Sequence, residues 1–309
     1  MAAISKITAT NQKIGYNLWF DTQAEEAAKF YTSLFNNSKM GRISRYPSTG
    51  QEIHGKAEGT VMVAEFEIEN QHFTALNGGS DFKFNPSISF FINRETPTEI
   101  DVLWEKLIDG GEVLMALDKY PFSEHYGWLQ DKFGVSWQLI LARKDGDWRP
   151  PIIPSLLFVG DQCGRAEEAI NFYTEIFKNS KIGNLARYEA QHKSNKEGTL
   201  MYGDFMLNGQ WFAAMDSAQE HHFQFNEAIS LIVSCDNQDE VDYYWNKLNK
   251  DGDPKAQQCG WLKDKFGVSW QIVPKILSEF MSGNDKKAQR TMKAMLQMKK
   301  LDIDTLTNA

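Results

Sequence analysis

The chain has 309 residues, a formal net charge of −8 and an apolar fraction of 42%. This length is enough for two domains that each bury a core, and no apolar stretch approaches the roughly 20 residues that would span a bilayer. The acidic balance disfavours nucleic acid, whose recognition needs clustered Lys and Arg. We therefore expect neither a nucleic-acid partner nor a membrane partner.

The three cysteines, Cys163, Cys235 and Cys259, are odd in number and never spaced as CxxC. Such usage argues against a disulfide framework and against a structural zinc site. The first residues, MAAISKITAT, lack the basic region and apolar core of a secretory signal. Together these features predict a cytoplasmic protein.

The first copy of a repeated pattern begins with a short apolar strand, YNLWF at 16–20. The segment AEEAAKFYTSLF at 24–35 has its apolar residues at helical spacing, which predicts an amphipathic helix. In VMVAEFEIEN at 61–70 every second residue is apolar, which is typical of a strand. Its three acidic residues, Glu65, Glu67 and Glu69, are interpreted as a solvated strand face opposite Arg42 and Arg45 rather than as catalytic carboxylates.

Further strands are predicted at 72–79 and 87–93, followed by a helix at 99–111 that ends at a Gly-Gly pair, where a left-handed cap is favourable. The segment at 127–141 reads as a hairpin in which Asp131 opens the turn and Gly134 closes it. The order of elements is therefore β-α-β-β-β followed by β-α-β-β-β, so that one copy is itself a pair of modules.

The two halves of the sequence repeat each other. The segment GWLQDKFGVSWQ at 127–138 returns at 260–271 with one difference, and AEEAAKFYTSLF at 24–35 returns as AEEAINFYTEIF at 166–177. Self-similarity in the same order along the chain indicates one fold used twice. The charged, proline-rich connector at 142–154 is typical of a spacer, and we place the domains at 1–147 and 148–276, with a tail at 277–309.

The module order, the AEEA..FY helix, the NGG strand end at 77–79 and the GWL.DKFG.SWQ hairpin resemble PhnB-like proteins of the vicinal oxygen chelate superfamily. The resemblance covers residues 14–141 and 153–274. It implies an α+β fold of two tandem domains, each made of two βαβββ modules curling eight strands around a cleft for a small ligand or a metal. Because single-copy relatives commonly form homodimers, this chain would be an intramolecular pseudo-dimer, and further homo-oligomers are left open.

Metal-using members of that superfamily place His or Glu where the first, fifth and eighth strands face the cleft, with a fourth-strand ligand in some. Transferred to this chain, those positions hold Gly15, Ser87 and Gln138 in the first copy, and Ile153, Ala228 and Gln271 in the second. Neither set contains a His or a carboxylate, the usual ligands for zinc, iron or nickel. We expect no metal ligands and no cofactor, with a divalent metal as the alternative.

Strand alternation assigns a cleft face that is apolar and aromatic with few neutral polar groups, typical of a site for small uncharged molecules. The candidate ligand-binding residues are Asn17, Trp19, Ser87, Ser89, Gln138, Ser155, Ser230 and Gln271. For Gln138 and Gln271, a structural hydrogen bond within the sheet remains the alternative.

Only the first copy carries the longer segment MALDKYPFSEHY at 115–126, and Phe122, His125 and Tyr126 could act there as an aromatic lid. Packing of this loop against its own domain is the alternative. The cleft of the copy with the longer loop is the first one to consider if a single cleft functions.

The tail at 278–306 reads as a helix with Met292, Met295 and Leu296 close to one face. Such a methionine stripe usually packs, here on its own domain or across a dimer, with a partner-binding helix as the alternative.

The leading hypothesis is a protein that binds a small molecule for sequestration or sensing, without a catalytic metal. The alternative is a glyoxalase-like or dioxygenase-like lyase or isomerase in which Gln138 or Gln271 and a water complete an unusual metal site. Methyl transfer, implied by the label 3-demethylubiquinone-9 3-methyltransferase given to related domains, is disfavoured because no glycine-rich strand-to-helix turn is present.

Overall fold

The computed structural model describes residues 12–142, 148–192, 194–280 and 286–309. Its elements repeat one module order, strand-helix-strand-strand-strand, through the chain. The first module comprises β1 Ile14–Phe20, α1 Ala24–Leu34, β2 Lys39–Arg45, α2 Gln51–His54, β3 Val61–Ile68 and β4 Gln71–Asn77. The second comprises β5 Ile88–Arg94, α3 Pro97–Ile108, β6 Glu112–Tyr120, β7 Ser123–Gln130 and β8 Ser136–Leu141.

The second copy follows the same order. Its first module comprises β9 Ile152–Phe158, α4 Ala166–Ile176, β10 Lys181–Arg187, β11 Leu200–Leu207 and β12 Gln210–Asp216. Its second comprises β13 Ile229–Cys235, α5 Gln238–Leu248, β14 Asp253–Gln258, β15 Trp261–Lys263 and β16 Ser269–Pro274. The tail contains α6 Leu277–Phe280, α7 Lys286–Met295 and α8 Ile303–Thr307. The predicted βαβββ order is confirmed.

Over the described residues the strands form two mixed sheets of eight, and each sheet combines modules from both copies. One sheet has the order β14-β15-β16-β13-β1-β4-β3-β2, and the other has the order β10-β11-β12-β9-β5-β8-β7-β6. The chain accordingly divides into two compact units: unit 1 is Met1–Phe82 with Asn226–Ala309, and unit 2 is Lys83–Phe225. The α+β fold class is confirmed.

The compact units differ from the sequence copies. The sequence boundary near residue 148 falls inside unit 2, because β5 pairs antiparallel with β9 across it. In unit 1 the first strand of the chain, β1, pairs in the same way with β13. Each copy thus contributes one module to each unit, and the domain limits taken from the repeat are not limits of the folded units.

Local chemistry accounts for several element boundaries. Helix α3 begins with a capping box: the Thr96 hydroxyl accepts from the Glu99 backbone N–H, and the Glu99 carboxylate accepts from the Thr96 N–H. Gly110 follows the end of α3 with φ +74°, as the Gly-Gly pair predicted. Glu69 was wrongly assigned to a strand face. It forms with Asn70 the left-handed two-residue turn between β3 and β4.

The tail docks on unit 1. Cys259 and Gly260, in the β14–β15 turn, donate backbone hydrogen bonds to the carbonyls of Met298 and Lys299. These bonds replace helical ones, so the single helix expected at 278–306 is interrupted between α7 and α8; residues 281–285 of that prediction lie outside the described residues. Within the described ranges, no helix combines the length and apolar character needed to cross a membrane.

Candidate functional site

Each sheet has one face toward its helices and one face away from them. In unit 1, Tyr31 of α1 stacks on Phe66 with ring centroids 6.0 Å apart, and Tyr16 contacts Phe73 on the same side of the sheet. Because side chains alternate along a strand, Asn17 points to the opposite side. We call that side the cleft face.

A row of polar side chains crosses the cleft face of unit 1. Successive strand registers place its members directly opposite one another. We call this set the polar row: Lys263, Ser269, Ser230, Asn17, Thr74 and Glu65.

Two members of the polar row are buried without a hydrogen-bond partner. Asn17 is 2% exposed and Ser269 is 1% exposed, yet Asn17 Nδ2 and Ser269 Oγ have no acceptor or donor within reach among the described residues. A buried polar group left unpaired costs about 1–3 kcal/mol, and native folds rarely leave one without a reason. These two atoms therefore have unused hydrogen-bonding capacity beneath the cleft face.

Gln271 adds an acceptor beside the polar row. Its Nε2 donates to Ser230 Oγ over 2.9 Å, which fixes the amide, and it lies directly opposite Trp261 in the register of β15 and β16. No described residue donates to Gln271 Oε1, and the side chain is half-buried. The predicted internal hydrogen bond and an open carbonyl oxygen therefore coexist in this one residue.

Two tryptophans form an aromatic wall in unit 1. The Trp19 ring meets Trp261 edge-on at 5.9 Å and Phe82 edge-on at 5.1 Å, and its Nε1 donates to the Gly79 carbonyl. Gly78 is required here, because a Cβ at that position would lie 2.1 Å from the Trp19 ring. The NGG segment thus ends a strand and seats this ring.

The positions that hold metal ligands in related proteins are grouped in the structure differently from the grouping assigned from the sequence, because each group combines residues of both copies. Because the modules are exchanged, Gly15 lies beside Ile232 and, one strand further, Gln271, rather than beside Ser87 and Gln138. The fifth-strand position on this row is Ile232 and not Ala228. In unit 2 the corresponding row joins Ile153 to Phe91 and Gln138.

The residues at the family metal positions of unit 1, which are Gly15, Ile232 and Gln271 with the neighbouring His72, do not fit a metal ion. The fourth-strand residue of this set is His72, whose Cδ2 lies 3.5 Å from where a Cβ on Gly15 would be. Burial lowers the pKa of His72, opposed by the nearby carboxylates of Glu65 and Glu67. Glu67, directly opposite His72 in the register, is already paired with Lys39 at 3.3 Å, and the remaining imidazole and amide are too few ligands. No group of three or more His, Cys, Asp or Glu suited to a metal occurs in the part of the chain that the structure describes.

In unit 2 the equivalent polar groups are largely satisfied internally. Gln138 is 1% exposed; its Nε2 donates to Ser89 Oγ over 2.7 Å, and its Oε1 accepts from the Tyr126 hydroxyl over 2.7 Å. Trp128 Nε1 donates to Ser136 Oγ over 2.7 Å. Ser155 and Ser136 of unit 2 correspond to Asn17 and Ser269 of unit 1. Of these two, only Ser155 has a buried side-chain atom, Oγ, without a partner among the described residues.

The cleft face of unit 2 is packed by its own side chains. Its buried core is an apolar cluster of Phe91, Tyr126, Ile153, Trp211 and Ala213. Partly buried side chains pack against this cluster: Met115, Tyr120, Trp128, Ile140, Tyr202, Met206 and Met215. Where unit 1 has Gly15 and His72, unit 2 has Ile153 and Trp211, which fill the space.

Arg149 covers the Trp211 ring of the apolar cluster in unit 2. Its guanidinium lies 3.8 Å from the centroid of Trp211 and donates twice to Asp204 Oδ2, over 3.0 and 2.8 Å. Asp204 is only 3% exposed, so the pair is a buried one in which both charges are compensated. The arginine comes from the connector that the sequence predicted to be a spacer.

The lid segment is a hairpin and not a loop, because β6 pairs with β7 along its length. Phe122, at its tip, is 50% exposed and contacts Tyr126, whereas His125 points to the helix side and bonds Asp101 over 2.7 Å. Tyr126 is buried on the cleft face, where its hydroxyl bonds Gln138. The structure thus brings Phe122 and Tyr126 together and places His125 apart from them.

The structure divides the predicted ligand-binding residues between the units. Unit 1 brings together Asn17, Trp19, Ser230 and Gln271. Unit 2 brings together Ser89, Gln138 and Ser155, and Ser87 precedes β5 there with its carbonyl accepting from Leu157.

Sequence reasoning missed Ser269 and the acceptor role of Ser136, although both lie two residues before the assigned glutamines and so share their face. It also missed Arg149, for which the sequence carries no signal, since its partner Asp204 is 55 residues away.

A cleft face opposite the helices, in a unit built from two βαβββ modules, is the architecture of the vicinal oxygen chelate superfamily. Glyoxalase I from Zea mays shows the same fold, with 11% identity, a TM-score of 0.50, and coverage of 84% of this chain and 91% of that one. A protein described as 3-demethylubiquinone-9 3-methyltransferase, PhnB protein, from Bacillus cereus is 46% identical over 42% of this chain and 100% of its own, with a TM-score of 0.39. A protein from Staphylococcus aureus is 35% identical over 43% of this chain and 97% of its own, with a TM-score of 0.18. No curated protein matches this chain.

The family model described as 3-demethylubiquinone-9 3-methyltransferase matches residues 12–140 and 150–273. The chain therefore belongs to this PhnB-like family, which it represents as a tandem of two copies.

Proposed function

We propose that this chain is a cytoplasmic small-molecule-binding protein whose ligand lies on the cleft face of unit 1, and that it acts by sequestration or sensing without a catalytic metal. The observation that carries the proposal is the pair of buried, unpartnered atoms Asn17 Nδ2 and Ser269 Oγ beside the open Gln271 Oε1. A ligand with one acceptor and one donor would satisfy these atoms.

The charges around this cleft favour a neutral ligand. Glu65 is paired with Arg42 at 2.7 Å, Glu67 with Lys39 at 3.3 Å, and Lys263 with Glu227 at 3.1 Å. A charged ligand would have to compete with a partner that is already in place. A neutral, partly aromatic molecule can bind beside Trp19 and Trp261 without breaking these pairs.

The test compares two Ser→Ala variants with benzamide as the probe, since its amide offers both an acceptor and donors. Ser269→Ala removes an unpartnered hydroxyl, so the free energy of unfolding should stay equal or rise by about 1 kcal/mol. Benzamide affinity, measured by tryptophan fluorescence, should fall about tenfold, the equivalent of one lost hydrogen bond. The matched variant Ser155→Ala, in unit 2, should show the same stability effect with unchanged affinity.

Equal benzamide affinities in the native protein and in Ser269→Ala would contradict the proposal. Native mass spectrometry of freshly purified protein provides a second measurement, because a retained neutral molecule would support binding directly. Metal analysis tests the enzyme hypothesis: stoichiometric iron, zinc, nickel or manganese that is lost on Gln271→Ala would replace binding by metal-dependent catalysis.

A further inference from the structure

Gln138 and Gln271 occupy the same place in the two units. Each is the last residue of its copy of the repeated hairpin sequence, and each has its Nε2 bound to the equivalent serine on the neighbouring strand, Ser89 or Ser230. Because the amide nitrogen is fixed in this way, the carbonyl oxygen of each residue is left to accept a hydrogen bond on the cleft face.

In unit 2 that hydrogen bond comes from a phenol. The Tyr126 hydroxyl lies 2.7 Å from Gln138 Oε1, and the Tyr126 ring is 3% exposed. Tyr120 and Phe122 meet this ring edge-on at 5.5 and 4.9 Å. Burial raises the pKa of Tyr126, so the phenol keeps its proton and remains a donor.

In unit 1 the phenol is missing. Tyr126 lies two residues before Trp128, and the residue two before Trp261 is Cys259. The Cys259 thiol contacts the side-chain amide of Gln258 and makes no hydrogen bond to Gln271. Gln271 is consequently half-buried with an open acceptor, whereas Gln138 is sealed.

We propose that unit 1 binds a neutral phenolic compound whose hydroxyl donates to Gln271 Oε1 as the Tyr126 hydroxyl donates to Gln138 Oε1, with its aromatic ring beside Trp261. This proposal rests on the proposed function and narrows its ligand class. In unit 2 the Tyr126 side chain occupies the place of that ligand and donates to Gln138. Only unit 1 therefore has a glutamine acceptor left for an external molecule.

The experiment titrates the full chain with p-cresol, which is the tyrosine side chain as a free molecule, and with 4-methylanisole, which has the same ring but no hydroxyl donor. Binding is followed by calorimetry and tryptophan fluorescence. We expect one p-cresol per chain, and 4-methylanisole at least about tenfold weaker, as expected for one lost hydrogen bond. Equal binding of both compounds, or no binding of p-cresol, would overturn the proposal.

Variants assign the site. Gln271→Met, which keeps the size and removes the acceptor, should weaken p-cresol at least about tenfold, whereas the matched Gln138→Met should leave p-cresol affinity unchanged. Tyr126→Ala should raise the stoichiometry from one to two. Circular dichroism checks that each variant is folded, and loss of affinity in Gln138→Met instead of Gln271→Met would refute the assignment to unit 1.

Failure of this inference and failure of the proposed function give different results. If benzamide binds in a manner dependent on Ser269 while p-cresol and 4-methylanisole bind alike, the phenolic class is wrong and the binding function stands. If no compound binds and native mass spectrometry shows no retained molecule, the binding function itself is wrong.

Discussion

Asp131 organises the turn between β7 and β8 with three hydrogen bonds. Its carboxylate accepts from the backbone N–H of Phe133 and Val135 and from Trp137 Nε1, over 2.9, 3.1 and 2.8 Å. Asp264 makes the same three bonds in the other unit. The repeated sequence predicted the turn, since Asp and Gly mark it locally, but the tryptophan bond joins the turn to the core and has no such local marker.

Replacing Asp131 by Ala should lower the free energy of unfolding by about 3 kcal/mol, because the buried Trp137 N–H loses its acceptor. Asp264→Ala should have a similar effect, and the double variant should show the sum, since the two sites share no partner. Urea denaturation measures all three. Asp81→Ala, on the surface, is the control and should change stability by less than about 0.5 kcal/mol; a loss below 1 kcal/mol in Asp131→Ala would contradict the argument.

Strand alternation correctly predicted which side chains share a face. Asn17 in β1 and Gln271 in β16 both lie on the cleft face, as their parity required. Which residues form a site together was not predictable in this way. The strands β5 and β13 are homologous and have nearly the same local pattern, so this pattern does not show which of them pairs with β1. Only the complete chain selects β13.

At the scale of whole elements, the tail links the two edge strands of the sheet in unit 1. The Leu296 carbonyl accepts from Gln258 at the end of β14, while the Leu296 side chain packs at Gly50, which follows β2. Arg42 in β2 also donates to the Ser278 carbonyl over 2.8 Å. Since β14 and β2 are the outermost strands, the tail covers edges that would otherwise be open to other chains.

Gly50→Ala should loosen this connection. Gly50 has φ +82°, and an added Cβ would lie 2.7 Å from Leu296 Cδ1, whereas Gly55 has φ +67° with no atom within 4 Å of an added Cβ. Gly55→Ala should therefore cost only the backbone strain, about 1 kcal/mol, and Gly50→Ala about 1–2 kcal/mol more for displacing Leu296. Urea denaturation gives the free energies, and hydrogen exchange at 286–300 should accelerate in Gly50→Ala alone.

The double variant Gly50→Ala with Leu296→Ala separates strain from contact. It should recover the extra loss of Gly50→Ala, because the colliding methyl group has been removed. Equal stability of the two single glycine variants would show that Leu296 moves aside freely and that the tail is not held at Gly50.

At the scale of the molecule, the two units share a fold but differ on their cleft faces. Unit 2 stabilises itself with the apolar cluster around Phe91 and Trp211 and with the Arg149–Asp204 pair. Unit 1 keeps Gly15, His72 and an open Gln271 at the corresponding places. The sequence-based expectation that the copy with the longer hairpin holds the functional cleft is therefore replaced by a proposal for unit 1, because Tyr126 of that hairpin fills the other cleft.

The exchange of modules determines how fragments of this chain should behave. Residues 83–225 contain every strand of the sheet in unit 2, whereas residues 1–142 contain β1 without β13 and β5 without β9. A monomer of 1–142 would expose the paired edges of both strands, which is unfavourable. Two copies of 1–142 can satisfy them by pairing β1 of each with the homologous β5 of the other.

We therefore expect the 83–225 fragment to be a folded monomer and the 1–142 fragment to be a dimer, as measured by sedimentation equilibrium and native mass spectrometry. Dimerisation should make the unfolding midpoint of 1–142 rise with its concentration, whereas the midpoint of 83–225 should stay constant. The full chain, which carries all four modules, is the reference. A 1–142 monomer that unfolds cooperatively would contradict this expectation. It would mean that one sequence copy can complete its own sheet, and that the fold does not require the exchange of modules.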